Sequence, residues 1–150
     1  MESARIEPAQ DADVEWCAQL MAGSEPWITL RQDLEACRSK LQRPTSELFM
    51  AREGGERRGF ILLFPHGLAG SPYISSVAVE ASARGSGLGT RLVEFAEKHY
   101  AGRRHIFLCV SSFNLRAQAL YQRLGYARVA EFPDYVVEGH SELLFYKKLA

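Results

Sequence analysis

Three glycines fall within five positions, Gly85, Gly87 and Gly89, in the stretch ARGSGLGTRLVEFAEKHY from Ala83 to Tyr100. Arg84 precedes them and an amphipathic run follows. The first turn of a helix carries four backbone N–H groups without intrahelical partners, and the helix dipole adds partial positive charge, so an anion fits there. Glycine lacks Cβ and tolerates positive φ, which lets backbone close on a phosphate. Arg84 adds a fixed charge with forked donors. The stretch reads as a pyrophosphate cradle. Its spacing is G-x-G-x-G, not the dinucleotide G-x-G-x-x-G, and no P-loop lysine is in place because Arg91 follows Thr90. A strand-to-helix turn that binds nothing would also carry such glycines.

A second chemical element is NLRAQALYQRLGY, which sets Asn114 and Tyr121 seven residues apart. Seven residues are two helical turns, roughly 10 Å along one face. That face presents an amide at the helix start and a phenol lower down. Asparagine is also a common N-cap, and a helix tyrosine can simply be half buried with a satisfied hydroxyl.

The elements around these residues alternate. Ser3–Ala9 is a short strand ended by Pro8, and Asp11 or Asp13 caps a helix to about Met21. Thr29 caps a second helix with Leu30, Leu34, Cys37 and Leu41 at helical spacing. SELFMARE and RRGFILLFPH flank a Gly-Gly turn as a hairpin, and HGLAGSP (His66–Pro72) reads as a turn. Ser71–Glu80 is a strand rich in β-branched residues, followed by the glycine stretch and a helix with Leu88, Leu92, Phe95, Ala96 and His99 on one side. Arg104–Ser112 is a strand, Asn114–Gly125 a helix stopped by glycine, and YARVAEFPD and HSELLFYKKL are two closing strands. The plan is an α/β or α+β sheet with helices on its faces.

Composition sets limits on this reading. At 150 residues, with 47% hydrophobic and 24% charged side chains, the chain is expected to be one domain, 1–150, with one substantial core. Lys plus Arg and Asp plus Glu both number 18, so net charge offers no argument for nucleic acid or an anionic membrane as partner. No signal pattern or membrane-length apolar run is present, which makes a cytoplasmic location the expectation. Cys17, Cys37 and Cys109 form no disulfide framework, and the four histidines make no zinc-like pairs with them, so no metal is expected. A homodimer remains open.

Strand, R-G-x-G-x-G, helix, strand, then N-x-x-A-x-x-L-Y-x-x-x-G-[FY] is a long ordered combination. It resembles the GNAT superfamily of acetyl-CoA-dependent N-acetyltransferases, most strongly over Ser71 to Tyr126. The resemblance implies a central, mixed, mostly antiparallel sheet of six to seven strands with splayed middle strands, flanked by about four helices. It implies acetyl-CoA as cosubstrate, with the pyrophosphate bound by Arg84, Gly85, Ser86, Gly87, Leu88, Gly89 and Thr90. Backbone of Val77, Ala78 and Val79 would bind the pantetheine arm and acetyl carbonyl, beside an adjoining strand at Phe107–Ser111. Asn114 matches the residue that contacts that arm, Ala117 lies on the same cofactor-binding helix, and Tyr121 matches the tyrosine near the acetyl sulfur.

The implied reaction is attack by a primary amine on a thioester carbonyl. A backbone N–H near Val79 can stabilise the oxyanion, and Tyr121 can protonate the departing sulfur. The amine must be neutral: a lysine-like amine of pKa ~10.4 needs about 4–5 kcal/mol to deprotonate at pH 7, an α-amine near ~8 only about 1 kcal/mol. The candidate bases are Glu80, at the end of the splayed strand, and Glu142 on the last strand. A water chain through backbone carbonyls and Ser75 or Ser76 would serve equally. Chains that acetylate the N-terminus of ribosomal proteins look similar over LCVSSFNLRAQALYQRLGY, but usually carry a basic glutamate where this sequence has Cys109. That departure argues against a peptide terminus as acceptor. In SEPWITL (Ser24–Leu30), Trp27 could form a platform for the acceptor and Glu25 attract its ammonium, while Tyr135 could line the opposite wall, with Asp134 binding a cation or starting a turn. The alternative function is a coenzyme-binding module of the same fold without turnover.

Overall fold

The computed structural model describes residues 3–149. Its strands are β1 (Arg5–Pro8), β2 (Glu47–Glu53), β3 (Glu56–Leu68), β4 (Ser71–Val79), β5 (His105–Ser111), β6 (Ala127–Phe132) and β7 (Glu142–Lys148). Its α-helices are α1 (Asp11–Ala22), α2 (Leu34–Leu41), α3 (Leu88–His99) and α4 (Leu115–Arg123). The strands form one seven-stranded sheet in the order β1-β2-β3-β4-β5-β7-β6. Every neighbouring pair is antiparallel except β4 and β5, which run parallel. This is the mixed sheet with four helices that the sequence leads one to expect.

Period-two alternation sends side chains to two cores. On one face, Leu88, Leu92, Val93 and Ala96 of α3 pack on Ile61, Leu63, Ile74, Ile106, Leu108 and Phe145, and Ala117, Tyr121 and Leu124 join from the α4 side. On the other, Cys17, Ala18 and Met21 of α1 and Cys37 and Leu41 of α2 pack on Met50, Phe60, Leu62 and Ala78. Helices α3 and α4 therefore lie across the sheet from α1 and α2.

The site depends on an irregularity in β4. In its pairing with β3, Leu62 faces Ser76 and Leu63 faces Ile74, so Ser75 is an extra residue. A bulge of this kind bends a strand and interrupts its alternation. Ile74 packs on the α3 face, yet past the bulge it is Val77 and Val79 that reach that face, while Ala78 joins the α1–α2 core. The parallel pairing of β4 with β5 is confined to Tyr73↔Phe107 and Ile74↔Leu108. Beyond those residues the two strands part, leaving facing backbone groups without ladder partners.

Three local expectations are corrected. Helix α1 is capped by Gln10, with Asp13 at the third helical position accepting from the Gln10 N–H at 2.8 Å. Helix α2 is capped not by Thr29 but by Asp33, whose carboxylate accepts from Ala36 N–H at 2.9 Å. The Thr29 N–H and hydroxyl are instead donated to Glu25, at 2.9 and 2.7 Å, closing a separate turn. The His66–Pro72 turn is shorter than expected. Strand β3 runs on to pair Leu68 with Ser71, leaving only Ala69 and Gly70, both at positive φ, in the bend.

Candidate active site

The parted strands open a cavity of about 510 Å³. From the sheet it is lined by β4 between Tyr73 and Val77, by β5 between Leu108 and Ser111, and by Glu142. Asn114, Ala117 and Tyr121 line it from α4, and Glu25, Trp27, Leu30, Lys40 and Arg43 from the α1–α2 side. The cavity thus takes residues from both faces of the sheet.

On the α4 side, Asn114 caps the helix by accepting from Ala117 N–H at 3.2 Å. Its amide nitrogen makes no hydrogen bond among the described residues, so capping and ligand binding are compatible, as the sequence allowed. Gln118 ties the helix start to the end of β5 by donating to the Ser111 and Ser112 carbonyls at 3.3 and 3.0 Å. The Tyr121 ring packs edge-on against Tyr126, centroids 5.7 Å apart, and its hydroxyl has no protein partner among the described residues. Burial pushes this phenol up to about 12, so at neutral pH it holds its proton and can donate it.

The glycine stretch forms the expected turn into α3. A single 3₁₀ turn at Ala81–Ala83 leads into it, and Gly87 is the helix N-cap with φ 86°. Gly85 also needs positive φ, at 81°. Gly89 does not, and a Cβ built on it would meet nothing within 4 Å. No protein contact therefore calls for glycine at 89, which leaves the backbone open to a ligand at the positive end of the helix. We expect Gly89→Glu to leave thermal stability nearly unchanged, because an acidic residue suits a first helical turn. The same change should weaken coenzyme A binding at least about tenfold by placing bulk and negative charge in an anion site. Calorimetric titration of the folded variant checks this; equal affinity would remove the pyrophosphate from this turn.

Arg84 differs in detail from the expectation. Its Nε donates to the Val79 carbonyl at 3.0 Å and its Nη2 to the Ser24 hydroxyl at 3.2 Å. The guanidinium links the end of β4 to the segment after α1, and any phosphate contact would come from the donors that remain.

The two candidate bases separate clearly. Glu80 is outside the cavity lining: its carboxylate accepts from Arg58 at 3.1 Å and from the Ser82 hydroxyl and N–H. The Ser82 hydroxyl, followed by its N–H and Arg58, holds Glu80 below the ordinary carboxylate range. Such a group is a weak base already committed to partners, so the structure does not bring Glu80 to the site. Glu142 lines the cavity and is only 8% exposed. The Ser111 hydroxyl, facing it in the β5–β7 register, donates to it at 2.6 Å. Burial pushes its carboxyl upward, with Ser111 and Lys40 opposing. Tyr73 and Cys109 flank the same space, and burial holds the Cys109 thiol up in its protonated form. Ser76, 4% exposed, has a hydroxyl with no partner in the protein among the described residues.

At the α1–α2 wall, Trp27 is 5% exposed and is both a core residue and a cavity wall. Glu25 is exposed at the rim, its carboxylate oriented by Thr29. Tyr135, 70% exposed, stands over the opening from the β6–β7 loop. Asp134 accepts from Gly139 N–H at 2.7 Å and so shapes that loop, outside the cavity lining. Sequence reasoning missed Lys40, Arg43, Tyr73 and Ser111. Only Ser111 left a trace, as a polar residue at the end of an otherwise apolar strand.

The sequence matches the acetyltransferase (GNAT) family over residues 12–126. The chain belongs to this family. An uncharacterized N-acetyltransferase of Methanocaldococcus jannaschii is 35% identical to this GNAT chain over 82 residues, 53% of each. The blasticidin-S acetyltransferase of Streptomyces morookaense is 40% identical over 67 residues, 42% of this chain and 47% of that one. The GNAT chain thus spans about half the length of these two relatives. Among solved structures, an aminoglycoside 6'-N-acetyltransferase complexed with coenzyme A superimposes with a TM-score of 0.78 at 18% identity, over 97% of both chains. That likeness is one of fold.

Proposed function

We propose that this chain transfers acetyl from acetyl-CoA to a primary amine by direct attack within the β4–β5 cavity. The observation that carries the reading is the confinement of β4–β5 pairing to two residue pairs, which opens a polar-ended cavity between a phenol donor and a buried carboxylate. The residues present fit the coenzyme. The turn at Gly85–Thr90 suits its pyrophosphate, the edge of β4 past Ile74 that faces away from β3 suits its amide-bearing arm, and Asn114 Nδ2 is free to donate to it. When bound, acetyl-CoA supplies an activated acyl group on sulfur.

The remaining roles belong to the chain. N–H groups of β4 around Val77–Val79 that point away from β3 are fixed donors for an acyl oxygen, and preorganised donors need no rearrangement as charge develops. Glu142 takes a proton from the incoming ammonium so that a neutral amine attacks, with Ser111 orienting the carboxylate. As the C–N bond forms and the C–S bond breaks, Tyr121 delivers its proton to the departing sulfur, the second proton shed by the nitrogen returns to Tyr121 through water, and Glu142 passes the first to solvent. Trp27 and Tyr135 flank the acceptor, and Glu25 attracts ammonium groups to the rim.

Release of free thiol from acetyl-CoA, together with mass analysis of the amine, tests the reading. Thiol release matched by amine acetylation supports it, and acetyl-CoA left intact beside every amine class overturns it. Within an active assay, Tyr121→Phe should lower kcat by about 10²-fold or less with acetyl-CoA affinity held. The low end is expected because a thiolate leaves readily without help. Equal kcat with chemistry rate-limiting would make Tyr121 a packing residue.

A further inference from the structure

The α1–α2 wall of the cavity carries two cations that the mechanism does not use. Lys40 sits in the last turn of α2 and Arg43 just beyond it, and both line the cavity. Neither side chain makes an ion pair or hydrogen bond among the described residues. By contrast, Arg38, Arg52, Arg57, Arg58, Arg128 and Lys147 all hold carboxylates. Lys40 is partly buried, and burial, then the nearby Arg43 charge, holds its ammonium below the usual lysine range. Two like charges facing one cavity, one of them desolvated, repel each other unless an anion joins them. Of the carboxylates lining the cavity, Glu142 accepts from Ser111 and its charge draws the Lys40 ammonium upward without outweighing burial, and Glu25 is held by Thr29; neither makes an ion pair with Lys40 or Arg43 among the described residues. The buried Ser76 hydroxyl also lacks a partner in this cavity among the described residues.

The coenzyme is not the source of that anion. Its phosphates belong, on the reading above, to the glycine turn opening α3, and α3 and α4 lie on the sheet face opposite α1 and α2. We propose that the acceptor is an amine that also carries an anionic group, a carboxylate or a phosphate, seated by Lys40 and Arg43. This rests on the acetyl-transfer reading and names the acceptor class for that site. A compact zwitterion would present its amine to Glu142 and its anion to the cation pair. A polycationic amine would meet the same pair with like charge, a mismatch that discriminates strongly.

The test uses four small amines of similar length: β-alanine, O-phosphoethanolamine, β-alaninamide and 1,3-diaminopropane. They are compared at equal concentrations of neutral amine, with wild type, Lys40→Gln, Arg43→Gln and the double variant, each checked for an unchanged melting curve. Wild type should favour one or both anionic probes over the amide by about tenfold or more in kcat/KM, chiefly through KM. Which anionic probe is faster separates carboxylate from phosphate. The double variant should lose that preference, its rate with β-alaninamide serving as the internal reference for any change at Glu142. Equal use of amide or diamine by wild type, or a preference that survives in the double variant, overturns the proposal while leaving acetyl transfer standing. Should no amine release thiol, the acetyl-transfer reading fails separately. The anion seat is then read by amide NMR titration with β-alanine and O-phosphoethanolamine. Shifts around Lys40 and Arg43 in wild type, absent in the double variant, support the seat, and their absence from wild type refutes it.

Discussion

Glu142→Gln is expected to lower kcat/KM at neutral pH by about 10²–10⁴-fold, the usual contribution of a general base, while the protein stays folded. The amide keeps the shape of the side chain and can still accept from Ser111 Oγ, which donates to the carboxylate at 2.6 Å. Only the capacity to take a proton is lost. Burial pushes the Glu142 carboxyl up, so wild-type kcat/KM should rise with pH as this group ionises, and the variant should lack that limb. Stability should move the other way. A folded-state pKa raised above the unfolded value gives stability that is full below the unfolded pKa and lost as pH rises through the folded one. Relative to wild type, Glu142→Gln should therefore gain stability on the alkaline side of that titration. Denaturant melts at pH 4 and pH 8 read the stability, and steady-state kinetics read the rate. A variant as active as wild type would return the proton to water or to another group.

The second large effect falls outside the cavity. Asp13→Ala should destabilise the fold by about 3–5 kcal/mol, because removing one partner of a buried ion pair strands the others. Asp13 is 1% exposed in α1 and accepts from Arg52 Nη2 at 2.6 Å, Arg57 Nε at 2.8 Å and the Gln10 N–H at 2.8 Å. These bonds join α1 to β2 and β3, and so set the α1–α2 layer that forms the acceptor wall. Burial works to raise the Asp13 carboxyl, but the Gln10 N–H and both guanidiniums outweigh it and the net direction is down. A depressed folded pKa gives stability that is present above the unfolded pKa and lost as pH falls through the folded one. The variant should thus lose most at neutral pH and least in acid. Removal of the exposed Glu15, paired with Arg38 at the surface, should cost far less and serves as the control. Chemical denaturation of both variants checks the contrast, and similar small losses would remove Asp13 as the tie between these layers.

Much of this architecture was legible in local residue patterns. The Gly54–Gly55 hairpin, the glycine turn into α3 and the Asn114 start of α4 follow from turn and cap chemistry that a chain carries within a few residues. The six to seven strands and the splay entered through the family resemblance, the strand order came from the structure, and the register of β3 with β4 shows one extra residue at Ser75 where the splay begins. What was illegible depended on pairing between distant segments. Glu80 and Glu142 look alike in sequence. Arg58, a neighbour across β3, occupies the first, whereas Ser111, across β5, holds the second inside the cavity. Thr29 looked like a cap because Glu25, four residues earlier and able to capture its hydroxyl, was assigned to substrate instead. Lys40 and Arg43 resembled any basic residues at the solvated end of a helix until the tertiary fold turned them toward the cavity.

The opened β4–β5 gap is the foundation of the functional reading, and backbone amide NMR during titration with acetyl-CoA tests it most directly. Saturable shifts should appear at Val77, Val79, Gly85, Gly87 and Gly89 and at the Asn114 side-chain amide, with the α1–α2 wall responding only when an acceptor amine is added. Absence of binding, or shifts that leave β4 and the glycine turn untouched, would contradict the account.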